Sequence, residues 1–104
     1  MSPYSLTAAA AADLRGIISY TRKQWGTAQS RSYTAQLKQG MKRLALRQGV
    51  VKDMGETYQT LRMVHCEHHY IFCISGRGDA PALIIAILHD RMDVMTRLAS
   101  RLKR

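Results

Sequence analysis

The residues best suited to chemistry cluster at His65-Cys66-Glu67-His68-His69, with Cys73 a little further on. Imidazole and thiolate are preferred zinc ligands, so the run has the composition of a metal site. Its spacing argues otherwise. Successive side chains of an extended strand point to opposite faces, so neighbours such as His65 and Cys66 cannot easily share an ion. The segment reads as a polar hairpin turn with one buried thiol, and neither a metal nor a cofactor is expected. A second candidate chemistry is phosphate binding by Arg31, Lys38, Lys42, Arg43 and Arg47, which fall on the outer face of one helix. No aromatic residues are interleaved there to stack bases, and the plain reading of such a face is a solvated helix surface.

These groups must be held by elements that the apolar pattern outlines. Pro3 to Thr7 alternates weakly, as an edge strand does, and Thr7 can cap a helix. Ala10, Ala11, Leu14, Ile17, Ile18, Thr21 and Trp25 then repeat the spacing of one buried helical stripe. Gly26 stands where a left-handed terminating residue belongs, and Thr27 can open a second helix. That helix carries Tyr33, Leu37, Gly40, Met41, Leu44 and Ala45 on one face and ends near Gln48. The short link makes an antiparallel helical hairpin, with Gly40 allowing two backbones to approach.

After a loop to about Glu56 the period becomes that of strands. Thr57 to His65 and Tyr70 to Ser75 alternate and form a hairpin around Glu67 and His68. Gly76-Arg77-Gly78-Asp79 signals a turn, and Ala82 to Leu88 is apolar at every position, as in a strand buried on both faces. Asp90 is placed to cap a last helix whose stripe is Val94, Met95, Leu98 and Leu102, with Arg97, Arg101, Lys103 and Arg104 elsewhere on it. The stripe, with Met92, is expected to pack on the sheet. The fold class is therefore α+β, an N-terminal helical hairpin packed on a small antiparallel sheet with a C-terminal helix.

At 104 residues the chain is expected to form a single domain, 1–104, with a modest core. Sixteen Lys and Arg against seven Asp and Glu give +9, which favours an anionic partner: nucleic acid, an acidic membrane face or an acidic protein. With 46% hydrophobic and 22% charged residues, intrinsic disorder is excluded as the organising principle. No apolar run approaches the roughly 18 residues of a membrane span, and Met1 to Ala12 lacks the basic and leucine-rich regions of a secretory signal. A cytoplasmic location is expected, with Cys66 and Cys73 reduced.

In order along the chain stand Tyr4-Ser5-Leu6-Thr7, Ala12-Asp13-Leu14, Tyr20, Trp25-Gly26, Tyr33, Leu37, Leu44-Ala45, Leu61-Arg62 and His69-Tyr70-Ile71-Phe72. They lead to Ile87-Leu88-His89-Asp90-Arg91-Met92-Asp93, which resembles the Ile-Leu-His-x-x-Met-Asp signature of ParE-type toxins. Over nearly its whole length the sequence resembles the ParE branch of the RelE/ParE superfamily, the toxic halves of bacterial type II toxin-antitoxin modules. Cys73 stands where that family often has tyrosine, and Thr60-Leu61-Arg62 where Gly-Tyr-Arg is frequent.

The resemblance implies a RelE/ParE-like fold, a cognate ParD-like antitoxin that neutralises the toxin in a hetero-oligomer, and DNA gyrase as target, which would bring the toxin close to DNA. It implies no catalysis by the toxin itself. His89, Arg91, Met92 and Asp93 are the candidate target-binding residues, because the signature there distinguishes this branch; removing residues from about Val94 onward is expected to abolish toxicity and spare antitoxin binding. Tyr20, Trp25, Tyr33 and Leu37 are the candidate antitoxin-binding residues. The RelE branch offers the alternative of a ribosome-dependent messenger RNA endonuclease. Such cleavage needs a base, an acid and cations for the phosphorane charge, and His89, Arg62 and Arg91, with Arg77, are of the right types. His89 follows the buried strand, and Arg62 is expected to be able to come alongside it in the sheet.

Overall fold

A computed structural model describes residues 2–103; Met1 and Arg104 lie outside the described residues. The chain runs β1 (Tyr4–Leu6), α1 (Ala8–Trp25), α2 (Thr27–Ala45), β2 (Lys52–Asp53), β3 (Arg62–Cys66), β4 (His69–Ile74), β5 (Ala82–His89) and α3 (Val94–Leu102). The sheet order is β1-β5-β4-β3-β2. The sheet is mixed rather than wholly antiparallel, because β1 pairs parallel with β5 while the other pairs are antiparallel. Alternation shows which residues face the core but not the direction of a neighbouring strand, so the expected antiparallel sheet is corrected at β1.

Local chemistry fixes the helix ends. The Thr7 hydroxyl accepts the Ala10 amide at 3.1 Å, and the Gly26 amide donates to Arg22 O at 2.9 Å. Gly26, at φ 92°, ends α1 and is also the N-cap of α2, so Thr27 is the first helical residue and makes no side-chain cap. The C-terminal helix is capped by Asp93, not Asp90: its carboxylate accepts the Thr96 amide at 3.3 Å and the Thr96 hydroxyl at 2.7 Å. Asp90 instead prolongs the β4–β5 pairing, its amide donating to His68 O at 2.9 Å.

The helical hairpin covers one face of the sheet and α3 the other. Leu37, Met41, Leu44, Ile71, Cys73, Ile84 and Ile87 belong to the hairpin-side core; Leu61, Phe72, Ile85, Ala86, Leu88 and Leu98 belong to the α3 side. The expected alternation of β4 holds, with Ile71 and Cys73 on one side and Phe72 on the other. In β5 the register shifts, Phe72 facing Ala86 and Cys73 facing Ile84, so Ile85 is an extra residue. This bulge changes the phase of the strand and puts Ile84 and Ile87 on the same face.

Other expectations shift. The close approach at Gly40 is between helix and sheet, since a Cβ there would stand 3.1 Å from Ile71 Cδ1 and 3.5 Å from Cys66 Cβ. The loop after α2 contains the two-residue β2, paired with Met63 and Arg62. Residues 57–61, expected as strand, form turns, with the Leu61 amide donating to Tyr58 O and Thr60 at φ 65°. On α3, Leu98 is fully buried and Val94 and Leu102 pack beside it, whereas Met92 and Met95 are 44% and 54% exposed. Both methionines lie off the contact stripe rather than on the sheet.

Candidate functional site

An open groove of about 940 Å³ lies between the helical hairpin and the end of β5. Ile17, Tyr20 and Trp25 of α1, Tyr33 of α2, His68 of the β3–β4 turn, His69 at the start of β4, His89 at the end of β5, and Arg91 and Met92 beyond it line the groove. Its apolar part is aromatic. Tyr20 is 64% and Trp25 68% exposed, although the helical spacing placed Trp25 on the buried stripe. As the last residue of α1, Trp25 overhangs the groove rather than the sheet.

The polar wall is fixed by a short hydrogen-bond chain. The Tyr33 hydroxyl accepts the His68 amide at 3.2 Å and is hydrogen-bonded to Nδ1 of His69. Burial, helped by the neighbouring His89, holds the His69 pKa down to about 4, so the ring is neutral near pH 7. The His89 ring lies edge-on to His69 at 5.1 Å and parallel to His68 at 6.3 Å. His89 Nδ1 accepts the Arg91 amide at 3.1 Å, while His89 O accepts the Met92 amide at 3.0 Å. One tight turn thus orients His89 and sends Arg91 and Met92 to the rim.

The wall formed by α1 is tied down by a clasp that the sequence reading missed. Because β1 ends at Leu6, the outer edge of β5 beyond Ile84 has no strand beside it. Asp13 Oδ2 accepts the Ile87 amide at 3.0 Å, and Arg101 Nη1 donates to Ile85 O at 3.0 Å. The two side chains also bond each other through both oxygens, at 2.7 and 2.8 Å. Side chains thereby satisfy backbone groups that a longer β1 would have paired. The one sequence signal was a carboxylate beside the apolar stripe of α1.

Of the predicted residues, His89, Arg91 and Met92 line the same groove as Tyr20, Trp25 and Tyr33. Asp93 does not; it caps α3. Leu37 is wholly buried in the core. Arg62 is only 2% exposed and at the far end of the sheet, opposite Cys73, whereas His89 is opposite His69. Four strand residues, roughly 13 Å, separate those levels. Its guanidinium donates to Leu44 O at 3.4 Å, Thr60 O at 3.3 Å and Ser75 Oγ at 2.9 Å. Arg62, His89 and Arg91 are thus not brought together, and Arg77 is exposed in the turn before β5.

The histidine-rich hairpin divides as strand geometry requires. His65 stacks on Tyr70 at 4.4 Å and approaches Asp90 at 3.4 Å. Cys66 points into the hairpin-side core and donates to Gln36 O at 3.5 Å. Cys73 is buried too, so both thiols rather than one are enclosed, and burial pushes both up from the ordinary thiol pKa. Among the described residues no helix is long and apolar enough to cross a membrane.

The fold agrees with comparisons to known proteins. The model of the ParE toxin of the type II toxin-antitoxin system parDE matches residues 4–94. The chain belongs to this family of toxins. It is 61% identical over 103 residues to Toxin ParE of Escherichia coli, covering 99% of each chain. It is 31% identical to Toxin ParE1 of Caulobacter vibrioides, covering 94% of this chain and 99% of the relative. A solved structure described as the chromosomal ParDE TA system from P. aeruginosa superposes with a TM-score of 0.64 at 19% identity, over 83% of this chain and 92% of that one. That likeness concerns the fold.

Proposed function

We propose that the protein poisons DNA gyrase without catalysing a reaction itself, and that a cognate antitoxin neutralises it by occupying the groove. The observation that carries this reading is the meeting of Tyr20 and Trp25 with His89, Arg91 and Met92 in one open groove. Large exposed aromatics beside a cation are the side chains that dominate protein–protein binding energy. The antitoxin segment expected to fold onto the toxin needs such anchors to offset the cost of ordering it. If the residues that engage gyrase share the groove with those that engage the antitoxin, the two partners exclude one another by overlap.

Two observations favour this over messenger RNA cleavage. Arg62 is enclosed among α2 and loop oxygens instead of standing beside His89. His69 Nδ1 is occupied by Tyr33, and His89 Nδ1 by the Arg91 amide. The decisive experiment is a supercoiling assay with purified gyrase, scoring linear DNA. Cleaved DNA is expected to accumulate, antitoxin to prevent it, and the double variant Arg91→Ala, Met92→Ala to lower poisoning at least tenfold while remaining folded. Intact DNA at a large excess of folded toxin would overturn the reading. Point variants replace truncation at Val94, because Leu98 and Arg101 of α3 hold the second core and the α1 clasp.

A further inference from the structure

The net charge is not spread over the molecule. Nine lysines and arginines lie from Arg15 to Lys52, and between Asp13 and Asp53 there is no acidic residue. The other seven basic residues are matched by the chain's seven acids, so this stretch accounts for the whole +9. All nine are exposed, and among the described residues none is paired with a carboxylate. Arg31, Lys38 and Lys42 follow one stripe of α2, and Arg15 and Arg22 one stripe of α1, in each helix away from the buried residues.

We infer that the outer face of the helical hairpin is a contact surface for the phosphate backbone of duplex DNA, read without regard to sequence. The face has the wrong composition for a protein partner. Its exposed residues between the bases, such as Ala35 and Gln39, are small or polar, while the exposed aromatics of the hairpin, Tyr20 and Trp25, belong to the groove. A protein interface needs buried apolar anchors. A polyanion needs only cations at accessible spacing, because the driving force is release of its condensed counterions. Arg31 to Lys42 spans roughly 16 Å of helix, the length of about five phosphates on one strand. The inference does not depend on gyrase being the target.

The test is binding of the 104-residue chain to fluorescent random-sequence duplex DNA, in the absence of gyrase, as a function of salt. Five phosphate contacts give a slope of about −4.5 in log affinity against log salt, a loss of about 500-fold between 50 and 200 mM. The triple variant Arg31→Gln, Lys38→Gln, Lys42→Gln should flatten that slope by about 2.7. A control that removes the same charge elsewhere, Arg77→Gln, Arg97→Gln, Lys103→Gln, should change it by less than about 1. Equal effects of the two triples would mean diffuse attraction and overturn the assignment, as would undetectable binding at 50 mM salt. A triple variant that keeps its DNA affinity but binds antitoxin more than tenfold more weakly would instead assign the face to an acidic protein.

Discussion

At one end of the sheet Arg62 sits beneath the C-terminus of α2, nearly sealed from water and bonded to Leu44 O, Thr60 O and Ser75. At the other end His68, His69, His89 and Arg91 surround a groove that two uncovered aromatic rings overhang. Both ends hold residue types suited to acid–base or phosphate chemistry. They differ in what their hydrogen bonds leave over. Arg62 is a positive charge placed on one carbonyl of the last turn of a helix, Leu44 O, where the helix dipole favours it, and it serves the fold. The histidine turn orients His89 through backbone bonds and leaves Arg91 and Met92 at the rim for a partner.

The difference can be broken most forcefully at the closed end. Arg62→Ala removes three hydrogen bonds and opens a cavity, and should cost about 3 kcal/mol in urea unfolding, with any loss of toxicity following that instability. At the open end the balance is reversed. Trp25→Ala or Tyr20→Ala should shift stability by less than about 1 kcal/mol yet weaken antitoxin binding by about 30-fold in calorimetric titration.

A smaller effect reports on the polar wall. His69 is held at about 4, below the ordinary histidine value, so between those values the unfolded chain takes up a proton that the folded chain refuses. Stability should therefore be constant above about pH 7 and fall as pH drops from roughly 6.5 to 4, by about 1 to 2 kcal/mol once screening by groove water is allowed for. Unfolding midpoints across that range, compared with those of His69→Phe, would isolate the contribution. Tyr33→Phe removes the partner of both the His68 amide and His69 Nδ1 and should cost about 1 kcal/mol at pH 7.5.

Much of the fold was legible because it is locally encoded. Thr7 and Gly26 act as their residue types predict, and the alternation of β4 assigned its two faces correctly. What was hidden depends on distant partners. Strand β2 exists only through pairing with β3, and the parallel direction of β1 is set by where α1 and α2 return the chain. The Ile85 bulge left no mark in a uniformly apolar run. In the candidate site, Tyr20 and Trp25 were recognisable as large aromatics near the end of α1, and His89 through its signature. Leu37 and Arg62 could not be excluded by type, because burial and strand register decide their surroundings.

The clasp between Asp13 and Arg101 joins residues 88 positions apart. During synthesis at about 5–20 residues per second, its second half is added roughly 4 to 18 s after its first. Asp13 is already made when β5 follows, but the outer edge of β5 lacks its guanidinium partner until Arg101 is added, and α1 is not fully fastened as a wall before then. The groove wall is therefore completed last: β5 ends at His89, and Arg101 follows it by about 0.6 to 2.4 s at that rate, so α3 closes the clasp only after every strand has been made.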